Sequence, residues 1–261
     1  MPDISLTMIV VLCLAAAGAG WVDAVVGGGG LIQLPMLMLG LPAHLAPTYA
    51  LATNKAVSIV GTTGAAVTYV RKTPVDVKLS VRIGLAALLG SMGGALLAGG
   101  ISKDVLRPAI IVVLVLVAGF VIFRPGFGTA PATGPVSRQR ILLAIALAGL
   151  GIGFYDGLFG PGTGTFLVLA LTALLHLDLV TASATTKIVN VCTNLGALAM
   201  FSYQGFVLWQ LAGLMALFNL TGGMLGARMA LKKGSGFVRG VLLTVVCVLV
   251  VKLGMDQWMA A

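Results

Sequence analysis

The chain has 261 residues, of which 59% are hydrophobic and 9% charged, and its mean hydropathy is +1.10. Such a composition leaves too little polar surface to cover a soluble globule, and apolar runs of about 18 residues or more recur, so the sequence predicts an all-α polytopic membrane protein. The formal net charge is +9, but no Lys/Arg cluster is interleaved with stacking aromatic residues, which argues against a nucleic-acid partner.

The chain opens with an apolar segment, residues 4–22, that is long enough to cross a bilayer as a helix. Four consecutive glycines, residues 27–30, then disfavour helix by about 1 kcal/mol each relative to alanine. Residues 31–41 are apolar but few, and Pro35 and Pro42 punctuate them. We therefore expect a half-helix whose unwound entry lines a cavity, because lipid does not tolerate unpaired backbone groups.

Full-length spans follow the half-helix. In the first part of the chain they are residues 47–70, 79–100 and 105–123. Residues 124–140 form a Pro/Gly/Thr-rich linker. The same plan then recurs, with segments near residues 141–155, 163–175, 180–203, 208–231 and 238–258.

Local sequences match between the two parts at a fixed offset of 132 residues. Ala52-Thr53-Asn54-Lys55 aligns with Ala184-Thr185-Thr186-Lys187, and the glycine-rich residues 90–95 align with residues 222–227. A fixed offset held over much of each part indicates duplication. We assign residues 1–123 to the first repeat, 124–140 to a cytoplasmic linker and 141–261 to the second repeat.

The distribution of basic residues predicts how the repeats are oriented. Short loops with excess Lys and Arg tend to stay cytoplasmic. If the repeats are inverted, eleven basic residues lie inside and only Lys103, Arg107 and Lys252 lie outside. Inversion requires an odd number of crossings per repeat, so we expect about five segments each, Gly-rich broken helices near the midplane, and both termini external.

One lysine in each repeat lies inside the membrane. Lys55 is eight residues after Pro47, which places its Cα about 12 Å along a helix, and Lys187 is its counterpart. A cation there costs a few kcal/mol unless it snorkels, pairs or faces water. Snorkelling or an ion pair with Asp23 or Asp156 is one interpretation. The other is a central anion site, since each lysine accompanies an unwound glycine stretch as in inverted-repeat transporters.

Further polar groups surround the lysines in the sequence. We expect substrate contacts from helix-borne donors, which are Thr53, Asn54, Thr186, Asn190 and Asn194. We also expect them from the glycine stretches, which contribute Gly28, Gly29, Gly30, Gly162, Thr163, Gly164 and Thr165. Helices starting at Leu31 and Thr165 would turn free backbone N–H groups toward an anion. Asp23 and Asp156 are candidates for proton coupling or for neutralising the lysines.

The glycine and lysine motifs resemble the TauE/SafE family of sulfite exporters, also called TSUP. The resemblance rests on Gly20-Trp21-Val22-Asp23, residues 27–30, Gly40-Leu41-Pro42-Ala43-His44, Ala52-Thr53-Asn54-Lys55 and, in the second repeat, residues 153–164. It implies a secondary carrier of the inner membrane for a small sulfur-containing anion such as sulfite, thiosulfate or a sulfonate. It leaves the anion and the direction of transport open, and a homodimer is one assembly open to such a carrier.

Two other functions compete with a carrier. An anion channel would also suit a lysine-lined path. An intramembrane enzyme is disfavoured, because the sequence has no Gly-x-Ser-x-Gly motif and no acids or histidines at metal-ligand spacing. Cys13, Cys192 and Cys247 lie in apolar runs without a CxxC pair, so the sequence indicates no disulfide, metal or other cofactor.

Overall fold

The structure is a computed structural model that describes residues 4–42, 44–98 and 136–258, with side chains described as far as residue 245. The predicted span 105–123 and most of the predicted linker lie outside the described residues. The residues that the structure does describe contain helices and no strand, which confirms the all-α class.

We number the helices in chain order. They are α1 (Leu6–Val26), α2 (Gly30–Gly40), α3 (Pro47–Val70), α4 (Val77–Leu97), α5 (Arg138–Leu158), α6 (Thr163–Leu175), α7 (Leu179–Tyr203) and α8 (Trp209–Trp258). The middle of α5, Ala144–Gly151, is wound as a π-helix. Side chains cap the starts of α1, α4, α5 and α7, as Asp178 does by accepting from the amides of Val180 and Thr181.

One boundary differs from the predicted one. The first segment, predicted as residues 4–22, continues as helix α1 to Val26, and the predicted break comes at the glycines, where Gly27 ends the helix with a φ of 78°. The predicted segments 208–231 and 238–258 both lie in α8, where Gly234, with a φ of 74° and a ψ of −171°, is non-helical and separates two helical parts. Glycine adopts a positive φ at little cost, so this one residue makes the break between them.

Length and composition qualify several of these helices to cross a membrane. Among the described residues, α1, α4, α5 and α8 are long and apolar enough, and the pair α6 and α7, bent by 119°, adds a fifth span if it counts as one. The short helix α2 has only 11 residues, as the two prolines predict. The chain is therefore a multi-pass membrane protein.

The hydrophobic clusters show which helix ends meet. One cluster joins the first halves of α1, α3 and α8 to the last turns of α4 and α7. A second joins the last turns of α1 and α3 to the start of α7, and a third joins the starts of α4 and α5 to the end of α6. Helices α1, α3 and α8 thus run one way and α4, α5 and α7 the other. The first helices of the two predicted repeats are antiparallel.

Glycines let two helix pairs pack at backbone distance. A Cβ added to Gly90 of α4 would lie 2.5 Å from the Leu150 carbonyl oxygen of α5. One added to Gly222 of α8 would lie 1.9 Å from the Ala17 carbonyl oxygen of α1. The two glycines are 132 residues apart and the two carbonyls 133, which is close to the offset between the predicted repeats. Each predicted repeat therefore makes the same close contact with the first helix of the other.

Candidate functional site

The two lysines predicted to lie in the membrane are buried and ion-paired. Lys55 Nζ lies 2.6 Å from Asp156 Oδ2. Lys187 Nζ lies 2.9 Å from Asp23 Oδ2 and donates to the Asp23 carbonyl oxygen at 2.5 Å. The lysine side chains are 2% and 0% exposed. Each lysine therefore pairs with the acid of the other predicted repeat.

In this conformation the lysines form ion pairs and do not snorkel. The carboxylates neutralise the ammonium groups, which offsets part of the cost of burying a charge. The two pairs differ in access, because the Asp23 side chain is 20% exposed and the Asp156 side chain 6%. Asp23 also accepts a hydrogen bond from the Thr62 hydroxyl at 3.3 Å.

The two glycine stretches touch each other, and one of them also lies against Lys55. A Cβ on Gly27 would lie 2.2 Å from Gly164 Cα, and one on Gly164 would lie 2.3 Å from Gly27 Cα. Gly160 has a φ of 85° and its Cβ position is 3.2 Å from Lys55 Nζ. Only glycine permits this approach of two backbones, so the stretches form a contact between the predicted repeats.

The helix starts beside this contact do not present the amides expected to face an anion. Helix α2 begins at Gly30, one residue before Leu31, and α6 begins at Thr163, the start of the predicted segment 163–175 and two residues before Thr165. The Leu31 amide donates to the Gly28 carbonyl at 3.1 Å, and the Thr165 amide nitrogen is 2.7 Å from the Cβ position of Gly27. The amides expected to face an anion are thus occupied or covered in this conformation.

The other glycine-stretch residues shape the same contact. A Cβ on Gly29 would lie 2.4 Å from the Ala19 carbonyl oxygen and one on Gly28 2.9 Å from the Val245 side chain, whereas Gly30 has ordinary clearance from Pro161 at 3.6 Å. Gly162 has a φ of 81°. The Thr163 hydroxyl stabilises its own turn by donating to the Gly160 carbonyl at 2.8 Å, whereas the Thr165 hydroxyl donates to the Val26 carbonyl of α1 at 3.0 Å and so links the two stretches.

The predicted donors next to the lysines fall into two groups. Thr53 and Asn54 already have partners, since Thr53 accepts from the Leu208 amide at 3.3 Å and Asn54 Oδ1 accepts from Gln33 at 2.9 Å. In contrast, Thr186 Oγ1 and Asn190 Oδ1 are buried without a hydrogen-bond partner among the described residues. Leaving such a group unpaired costs about 1–3 kcal/mol, so both are available to a ligand. Asn194, one turn beyond Asn190, is also buried.

Three buried side-chain amides form a hydrogen-bonded series that was not predicted from the sequence. Asn219 Nδ2 donates to Gln33 Oε1 and to the Ala16 carbonyl, both at 2.9 Å, and Gln33 in turn donates to Asn54. It links helices α8, α1, α2 and α3. The available signal was an amide residue inside each of two apolar segments, Gln33 in residues 31–41 and Asn219 in residues 208–231.

Comparison with known proteins gives the same affiliation over nearly the whole chain. The profile of the sulfite exporter TauE/SafE family matches residues 12–253. The chain is 34% identical to the probable membrane transporter protein ORF9 of a Sinorhizobium species, over 98% of this chain and 96% of that one. It is 36% identical to the probable membrane transporter protein YfcA of Escherichia coli K12, over 95% and 90%. A probable membrane transporter protein of Haemophilus influenzae is 32% identical, over 98% of both chains. No solved structure matches significantly.

Proposed function

The chain belongs to the sulfite exporter TauE/SafE family of membrane transporters, and we propose that it carries a small sulfur-containing anion such as sulfite, thiosulfate or a sulfonate out of the cell. The observation that supports this proposal most is the reciprocal pairing of Lys55 with Asp156 and of Lys187 with Asp23. Two buried ammonium groups, one from each half, are paired with aspartates that belong to the same helices as the glycine stretches or directly precede them. An oxyanion can bind such ammonium groups in place of a carboxylate.

In the proposed mechanism the transported anion replaces an aspartate as the partner of a lysine. A monovalent anion accepts hydrogen bonds from one lysine Nζ, and the displaced aspartate takes up one proton. A divalent anion such as thiosulfate binds both lysines, and both aspartates take up a proton, so the charge buried at the site stays balanced in either case. The Lys187–Asp23 pair exchanges first, because Asp23 is the more exposed acid. The unpartnered Thr186 and Asn190 then complete the coordination. Asp23 and Asp156 thereby couple the anion to protons.

Alternating access in this proposal follows from two inverted repeats. The antiparallel course of α1 and α5 and the matching glycine contacts support such a relation. Rocking of one half against the other about the Gly27 and Gly164 contact would expose the lysines to each side in turn.

Counterflow tests the carrier function. In vesicles containing the purified protein and loaded with unlabelled thiosulfate, we expect labelled external thiosulfate to accumulate transiently above its equilibrium level. Its initial rate should saturate, and an inward proton gradient should change it. Sulfite or sulfoacetate should compete and chloride should not. Uptake that rises linearly with concentration and shows no overshoot would instead indicate a channel.

The orientation of the chain in the inner membrane is part of the proposal. Basic residues are concentrated near the end of α3 and around residues 228–239, which favours a cytoplasmic position for that side. We expect reporter tags before Asp3 and after Ala261 to be external, and a tag between Arg71 and Lys78 to be cytoplasmic. A cytoplasmic tag at only one terminus would contradict an arrangement with ten crossings.

A further inference from the structure

A groove away from the lysines runs along the surface between α3 and α8. Its volume is about 730 Å³, which lies within the range of about 300–1,000 Å³ found for ligand pockets. The two helices lie close because Gly61 faces Asn219, whose Oδ1 is 1.9 Å from the Cβ position of that glycine. Gly64 leaves room for Leu220 at the bottom of the groove, since a Cβ at this position would lie 2.3 Å from Leu220 Cδ1.

The walls of the groove are mostly apolar, and the two threonines that also line it, Thr63 and Thr68, donate their hydroxyls to carbonyls of their own helix. Val60 and Val67 of α3 are 37% and 45% exposed, and Leu220 and Met224 of α8 form the opposite wall. From Val60 to Arg71 the helix rises about 16 Å, at 1.5 Å per residue. That is close to half of a hydrocarbon core about 30 Å thick. The apolar part of the groove therefore matches the depth of one leaflet.

One end of the groove is basic. Arg71, Lys72 and Arg228 line it there, and all three are exposed. They come together because α3 and α8 run in the same direction. Within the described part of the chain none of the three forms an ion pair, since the described pairs involve only Lys55 and Lys187. The groove thus has three uncompensated positive charges at the level of a lipid headgroup and an apolar channel below them.

We propose that this groove binds an anionic phospholipid, with the phosphate on Arg71, Lys72 and Arg228 and an acyl chain along Val60, Val67 and Met224. The proposal is independent of the transported anion. Basic pockets between membrane helices suit anionic headgroups, and each basic residue contributes through its charge. A zwitterionic lipid would leave the positive charges of the groove uncompensated, so charge complementarity selects phosphatidylglycerol or cardiolipin over phosphatidylcholine.

The test measures lipid binding to the full chain purified in a mild neutral detergent. Native mass spectrometry and thermal unfolding are followed while phosphatidylglycerol, phosphatidylcholine or soluble glycerol phosphate is added. We expect phosphatidylglycerol alone to bind and stabilise. The triple variant Arg71→Gln, Lys72→Gln, Arg228→Gln should bind it about a hundredfold more weakly.

Two further variants separate the groove from general surface charge. Lys78→Gln, Arg82→Gln, Lys232→Gln removes the same number of exposed charges outside the groove lining and should bind as the unmodified chain does. Thr63→Trp fills the groove without changing charge and should lose the lipid. Equal losses in the two triple variants, equal binding of the two lipids, or stabilisation by glycerol phosphate would overturn the proposal. The proposal would also be overturned if the groove bound a second copy of the chain instead of the lipid, so that Thr63→Trp converted a dimer to a monomer.

Discussion

Replacing Lys55 or Lys187 with methionine is expected to reduce anion transport by about a hundredfold or more. Methionine retains much of the apolar stem and removes the ammonium group, so the loss reports on charge. Removing one partner of a buried, hydrogen-bonded charge pair at a binding site costs about 2–5 kcal/mol of binding free energy, and each 1.4 kcal/mol corresponds to tenfold in affinity. Flux of labelled anion into vesicles, normalised to folded protein, measures the effect.

The same variants should differ in stability, because the acids that they leave unpaired differ in exposure. Lys55→Met leaves Asp156, which is 6% exposed, whereas Lys187→Met leaves Asp23, which is 20% exposed. We expect the melting temperature to fall further for Lys55→Met. Adding Asp156→Asn should recover it, and adding Asp23→Asn to Lys55→Met should not. Lys232→Met, at an exposed position, serves as the control and should leave both transport and stability unchanged.

Arginine is not expected to replace either lysine. Its planar guanidinium carries the charge but needs more room than a compact ammonium group. At Lys55 the neighbouring Gly160 backbone leaves little space, since a Cβ there would already be 3.2 Å from Nζ. Full transport by Lys55→Arg or Lys55→Met would show that this position does not bind the anion.

Gly222→Ala is expected to produce a large loss of stability from a single methyl group. Its Cβ would lie 1.9 Å from the Ala17 carbonyl oxygen, so α1 and α8 would have to separate. Overpacking of this kind costs about 1–3 kcal/mol or more, because backbone atoms cannot rotate away as a flexible side chain can. Thermal unfolding and the yield of monodisperse protein measure it.

Gly213→Ala provides a matched control in the same helix. Its Cβ position has no heavy atom within 4 Å, so the added methyl group should be neutral or slightly stabilising. Equal behaviour of the two variants would show that the close approach of α1 and α8 is not needed for folding.

The helices were predicted well where local chemistry defines their ends. Proline at the first turn fixes the start of α3 at Pro47, and the predicted range 47–70 is the observed one. The range 163–175 for α6 is also confirmed, between Gly162 and His176, both in the left-handed conformation. Helix α1 ends at the glycines, as predicted, although it runs four residues beyond the predicted segment 4–22; Asp23 lies in these last turns and forms an ion pair with Lys187.

The sequence predicted which residues come together better than it predicted which lysine pairs with which aspartate. Repetition of a lysine beside a glycine stretch indicated a shared centre, and the structure brings both stretches into contact at Gly27 and Gly164. A sequence offset, however, relates equivalent residues and says nothing of which repeat supplies each partner. That Lys55 pairs with Asp156, and not with Asp23 of its own repeat, depends on how the halves pack. The amides of Gln33 and Asn219 were missed for the same reason.

Anion binding by variants that lack one lysine–aspartate pair tests whether these lysines hold the transported anion. The double variants Lys55→Met, Asp156→Asn and Lys187→Met, Asp23→Asn remove both members of one pair, so each should fold without an unpaired buried charge. Thermal unfolding of these proteins and the unmodified chain is measured with sulfite, thiosulfate, sulfoacetate, sulfate and chloride, because a bound ligand raises the melting temperature. Our account predicts that at least one sulfur-containing anion stabilises the unmodified chain and that none stabilises either double variant. Undiminished stabilisation of both double variants would contradict it.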